Sequence, residues 1–115
     1  MAPKRLQKNI SYLDVLAKAK PSQRKAILQT ADKDLILCLC ECILNVLNGN
    51  VPLKPDIQEK LGKYKAQLRI LASKETPAKY RKDILVQKGG AFLPLLLAPI
   101  LGIAGQLIAD SITKK

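Results

Sequence analysis

Residues 32–49, DKDLILCLCECILNVLNG, decide what kind of fold this chain can adopt. Leu35, Ile36, Leu39, Cys42, Ile43, Val46 and Leu47 recur at spacings of three and four, which places them on one side of an α-helix. Asp32 stands where a side-chain oxygen can accept from the free N–H groups of the first turn. Asn48-Gly49 supplies a stop. This is the most apolar helix of residues 1–90, and the pattern predicts that it forms their centre.

The flanking segments repeat the same period. Leu6, Ile10, Leu13 and Leu16 predict a first amphipathic helix, ended by Pro21. A short second helix has that proline in its first turn and Ala26, Ile27 and Leu28 as its apolar side. Pro52 and Pro55 make residues 50–55 a connector. Ile57, Leu61, Tyr64, Leu68 and Leu71 step by four and three, predicting a fourth helix whose seam, with Leu39, Ile43 and Leu47, packs on the third. Thr76-Pro77 starts a fifth helix through about Gln87, and Gly89-Gly90 ends it, because glycine is costly inside a helix and free in a hinge. The expectation is an all-α fold. A small bundle of about five short amphipathic helices over residues 1–88 is followed by a Gly-Gly hinge and a hydrophobic C-terminal segment, 89–115. With one Phe, three Tyr and no Trp, the core must be aliphatic.

A formal charge of +11, from 20 Lys and Arg against 9 Asp and Glu, points first to nucleic acid and then to an anionic membrane surface. Lysine outnumbers arginine, which favours diffuse phosphate neutralisation over the bidentate reading of base edges. The candidate phosphate contacts are Lys4, Arg5, Lys8, Lys18, Lys20, Arg24 and Lys25 in the first helices. Lys60, Lys63, Lys65, Arg69, Lys79, Arg81, Lys82 and Lys88 follow. They imply non-specific, salt-sensitive binding of double-stranded DNA. Interleaved aromatics for stacking on single strands are nearly absent. A helix-turn-helix over residues 22–48 is disfavoured, since its second helix is too apolar for a major groove.

No nucleophile pairing, metal cluster or phosphate loop stands out, and the chain has no His, the commonest acid-base group. An enzyme, a cofactor and a small-molecule substrate are not expected. Cys38, Cys40 and Cys42 do not make a zinc site, which needs four convergent ligands. On a helix Cys38 and Cys42 share the core face, and Cys40 points roughly 160° away, toward solvent. Three cysteines so close together define no disulfide framework and suit a reducing compartment. Residues 1–20 lack the apolar core of a signal peptide.

The C-terminal segment has a different chemistry. Between Ala91 and Thr113 the only charge is Asp110. Phe92, Leu93, Leu95, Leu96, Leu97, Ile100, Leu101 and Ile103 are candidates for contact with lipid or a partner. The run from Phe92 to Ala109 is at the lower edge of a bilayer span, and Pro94 and Pro99 would kink it. Three fates are open: spanning a membrane, lying in its interface, or packing on the body or on copies of itself.

The run Gly89-Gly90-Ala91-Phe92-Leu93-Pro94-Leu95-Leu96-Leu97-Ala98-Pro99-Ile100, with Gly102 and Gly105, resembles the C-terminal part of adenovirus core protein X, the precursor of the Mu peptide. Residues 1–90 resemble small basic proteins of Maverick/Polinton elements and adintoviruses. A lysine-rich helical domain stands here in place of the Arg- and His-rich adenoviral peptide. Gln87-Lys88-Gly89-Gly90-Ala91 is similar to the recognition pattern of adenovirus-type maturation proteases, which implies cleavage after Gly90. The resemblance implies a minor virion core protein, in the virion and host nucleus, binding genomic DNA and possible capsid partners, with a releasable tail. The alternative is a membrane-active or membrane-anchored protein whose C-terminal segment inserts in lipid, or a homo-oligomeric scaffold held by the tail.

Overall fold

The computed structural model describes the backbone of residues 3–113 and the side chains of residues 4–103. Within them the chain forms six α-helices: α1 (Pro3–Lys18), α2 (Pro21–Gln29), α3 (Lys33–Leu47), α4 (Pro55–Gly62), α5 (Lys65–Ala72) and α6 (Ala78–Thr113). α1 stops short of Pro21, and Lys20, just before the proline, is extended. Asp32 caps α3 as its position implies, accepting from the Leu35 N–H at 2.8 Å. Asn48 and Gly49 end α3, with Gly49 in the left-handed region at φ 75°.

The expected fourth helix is two. Gly62 closes α4, and the Lys63 and Tyr64 N–H groups donate three residues back, to Lys60 and Leu61 carbonyls, before α5 starts. The turn redirects the chain so that α5 lies on α3 while α4 lies on α6. The apolar seam survives this break: Leu39, Ile43, Leu61, Leu68 and Leu71 are all buried in one core, and Leu47 is half-buried.

The hinge is also absent. α6 runs through Gly89, Gly90, Pro94 and Pro99 without interruption and joins the expected fifth helix to the tail, so it is the split of the fourth that brings the described helices to six rather than about five. Burial outweighs local propensity here. Phe92, Leu93, Leu96, Leu97 and Ile100 are fully buried, in a core shared with Leu6, Leu13 and Leu16 of α1 and Leu28 of α2. Each such side chain contributes about 1.5–3 kcal/mol, against about 1 kcal/mol for a helical glycine. α6 touches all five other helices and is the bundle's central strut. The Phe92 ring meets Tyr64 at a centroid distance of 5.6 Å.

Pro94 has no N–H, so the Gly90 carbonyl loses its helical partner. Arg24 of α2 replaces it, its Nη1 donating to Gly90 O at 2.9 Å. A Cβ on Gly90 would lie 3.9 Å from Nη1, an ordinary contact, so this hydrogen bond does not depend on the glycine.

Cys40 is not exposed as its helical angle suggested. It is buried, because α3 is covered by α1, α5 and α6 and has no free back face. Burial pushes its thiol up despite the neighbouring Arg81. Cys38 and Cys42 hydrogen-bond to each other, and that bond together with burial raises the Cys42 thiol. All three thiols are free and buried, and the same hydrogen bond that raises Cys42 lowers Cys38.

Candidate functional site

The arginines among the candidate phosphate contacts mostly face inward. Arg24 is 5% exposed and spends its guanidinium on backbone carbonyls: Nε to Leu16 at 2.8 Å, Nη2 to Ala19 at 2.5 Å, and Nη1 to Gly90. Arg81 is 9% exposed, donates Nη2 to the Ser73 carbonyl and leaves Nε without a hydrogen-bond partner among the described residues. Arg5 bridges α1 to α3, pairing with Asp34 at 3.0 Å and with Glu41. Asp34 also accepts from Asn9 at 2.8 Å and has Lys8 at 3.7 Å. The Asn9 hydrogen bond, then that from Arg5, holds the Asp34 carboxyl below its usual range, and Asp34 in turn raises Arg5.

Two lysines are also engaged: Lys82 donates to the Ala31 carbonyl at 3.0 Å, and Lys18 pairs with Asp14 at 3.0 Å. What remains is a lysine surface. Lys4, Lys20, Lys25, Lys60, Lys63, Lys65, Arg69, Lys79 and Lys88 are exposed and make no ion pair among the described residues. They come from five different elements and the connections beside them. This is a dispersed positive field suited to a broad polyanionic surface.

The apolar candidates divide by helix face. Phe92, Leu93, Leu96, Leu97 and Ile100 point into the bundle, whereas Leu95, Leu101 and Ile103 are half-buried. At about 100° per residue the opposite side of α6 carries Ala91, Pro94, Leu95, Ala98 and Gly102. All five are exposed or half-buried, and no charged residue interrupts α6 between Lys88 and Ile103. From Ala78 to Ile103 the helix is 26 residues long, and its most apolar 18-residue window has a mean hydropathy of 1.7 with 39% of it buried in the bundle. Length and composition thus meet the requirement for crossing a membrane.

Beside this face lies a groove of about 560 Å³ between residues 52–57 and α6, walled by Pro52, Ile57, Pro94, Leu95, Ala98 and Pro99. Lys54 and Asp56 are the two charges at its rim. The residue pattern around the glycines is helical rather than extended: Gln87, Lys88 and Ala91 are exposed, Gly90 is half-buried, and Gly89 packs against Leu28 and Leu93. A protease cleft that takes an extended strand would therefore need this turn of α6 to open first.

Sequence reasoning did not single out Arg24 as the partner of Gly90, nor the 52–57 wall of the groove. A missing N–H at Pro94 was the available signal for the first. Nothing local signals the second. Compared with protein-family models, curated proteins and solved structures, the chain matches none, so the likeness of residues 89–105 to core protein X rests on those residues alone.

Proposed function

We propose that this is a non-enzymatic, membrane-associated basic protein whose α6 meets a lipid interface while the lysine surface faces anionic headgroups. The observation that carries the reading is the outer face of α6 from Ala91 to Gly102, uncharged, exposed or half-buried, and long enough to lie in an interface. Lying in the interface is favoured over spanning. Spanning would carry α6 out of the bundle and leave Leu6, Leu13, Leu16 and Leu28, which share its core, facing water. At about 1.5–3 kcal/mol each the cost is on the order of 6–12 kcal/mol, the size of a whole domain's stability. Each lysine near an anionic surface contributes about 1 kcal/mol, so a few of them with a shallow apolar face suffice for reversible attachment. Flotation of the full chain with vesicles tests this. Co-flotation with phosphatidylserine-containing vesicles and not with pure phosphatidylcholine is expected; a chain that stays behind in both refutes it.

A second reading, a minor virion core protein contacting genomic DNA, draws on the exposed, unpaired lysines and on the core protein X resemblance. Here affinity for duplex DNA is independent of sequence and falls steeply with salt. A titration of the full chain against random and defined duplexes decides: salt-insensitive binding, or none at low salt, removes this reading. Cleavage after Gly90 belongs to it, and an exclusively intact chain in mature particles would count against processing.

A further inference from the structure

We propose that the groove between residues 52–57 and α6 seats an acyl chain of an anionic phospholipid, with Lys54 against its phosphate. The inference rests on the membrane reading and gives it a specific site. Two proline rings, Pro94 and Pro99, form the α6 wall together with Leu95 and Ala98. Proline has no side-chain freedom to lose, so this wall stays open and offers its apolar surface without an ordering cost. The groove's volume of about 560 Å³ lies within the range of small-ligand sites.

Charge selects the occupant. Lys54 precedes α4 with an exposed side chain that makes neither a capping hydrogen bond nor an ion pair among the described residues. Asp56 has a structural reason for its place, in the first turn of α4, where the helix N-terminus favours a carboxylate. Lys88 is exposed two turns before Leu95, on the same side of α6, and no acidic residue follows it before Ile103. A second copy docked face to face would set these lysines against their counterparts in a chain of net charge +11. A phospholipid brings an uncharged tail for the groove and a negative phosphate for its rim.

The chain has no Trp, so Ile57→Trp places a unique reporter in the groove wall of the full-length protein. Phosphatidylserine carrying bromine on its acyl chains should quench this fluorescence, and adding the groove-filling Ala98→Phe should abolish the quenching without changing the circular-dichroism melt. In flotation, Lys54→Ala should weaken attachment about five-fold, the worth of one lysine near the surface. Lys74→Ala, at the α5–α6 connection, should weaken it by less than half as much. An unquenched reporter on bound vesicles, or equal losses for the two lysines, overturns the groove while leaving membrane attachment in place. A full chain that binds no anionic vesicle overturns both.

Discussion

Arg24→Ala should cost the fold about 3 kcal/mol, an effect far larger than its place in a polar helix suggests. Its three hydrogen bonds go to carbonyls with no ready substitute. The Lys20 N–H, which would normally serve Leu16, is taken by the Gln23 side chain at 3.2 Å. Gly90 faces Pro94, and Ala19 lies past the end of α1. Hydrogen bonds from a charged donor are worth about 1.5–3 kcal/mol each, so the gross loss is roughly 4.5–9 kcal/mol. Relief from burying a guanidinium returns several kcal/mol of that, leaving about 3. For a domain of this size this lowers the melting temperature by about 12 °C. Pro94→Ala gives Gly90 a helical N–H of its own, so Arg24→Ala should hurt less in that background, with a coupling of about 1 kcal/mol. Circular-dichroism melts of the two single variants and the double variant measure it. A loss under about 0.5 kcal/mol for Arg24→Ala, or strict additivity, would refute the clamp.

The two glycines should separate: Gly90→Ala raises stability by about 0.5–1 kcal/mol, since a Cβ has room there, whereas Gly89→Ala gains less because its Cβ would sit 3.1 Å from Leu93 Cδ1. A hinge would show the opposite, with both alanines harmful. Leu68→Asp should unfold the bundle, forcing a carboxylate into a buried position, while Lys65→Ala leaves it folded; equal melting temperatures would contradict the seam. Asp34, whose carboxyl is held below 3.8 in the fold, contributes stability that is present above that value and is lost as the pH falls through its lowered folded value. Asp34→Asn should therefore flatten the acid limb of a stability–pH curve, and an unchanged slope would show that the Arg5–Asn9–Asp34 cluster does not couple folding to protonation.

Elements set by neighbours along the chain were legible in the sequence. Asp32, Pro21 and Asn48-Gly49 mark their helix ends by local hydrogen bonding and sterics, and all three act as read. The break at Lys63-Tyr64 was not legible, because Ile57 to Leu71 keep helical spacing straight through it; periodicity records which residues face inward, not whether the axis turns. The glycines misled for a related reason. Their propensity is local and costs about 1 kcal/mol each, whereas the burial that overrides it depends on helices far away in sequence. The spacing of residues 92, 93, 96, 97 and 100 already described an inward face. On the cationic side, composition weighs Arg24 and Lys25 alike, although one is buried and the other exposed.

That contrast extends through the chain as a division of labour. Of the four arginines, Arg5, Arg24 and Arg81 hold helices together, and Arg69 alone is both exposed and unpaired. The outward charge is thus almost wholly lysine, attached to the frame at few points. Acylating those ε-amines would erase much of the surface potential while the guanidinium ties stay intact. Outward charge and integrity of the bundle are therefore separately adjustable, and a chemical mark on lysine can strip the positive field without melting the fold.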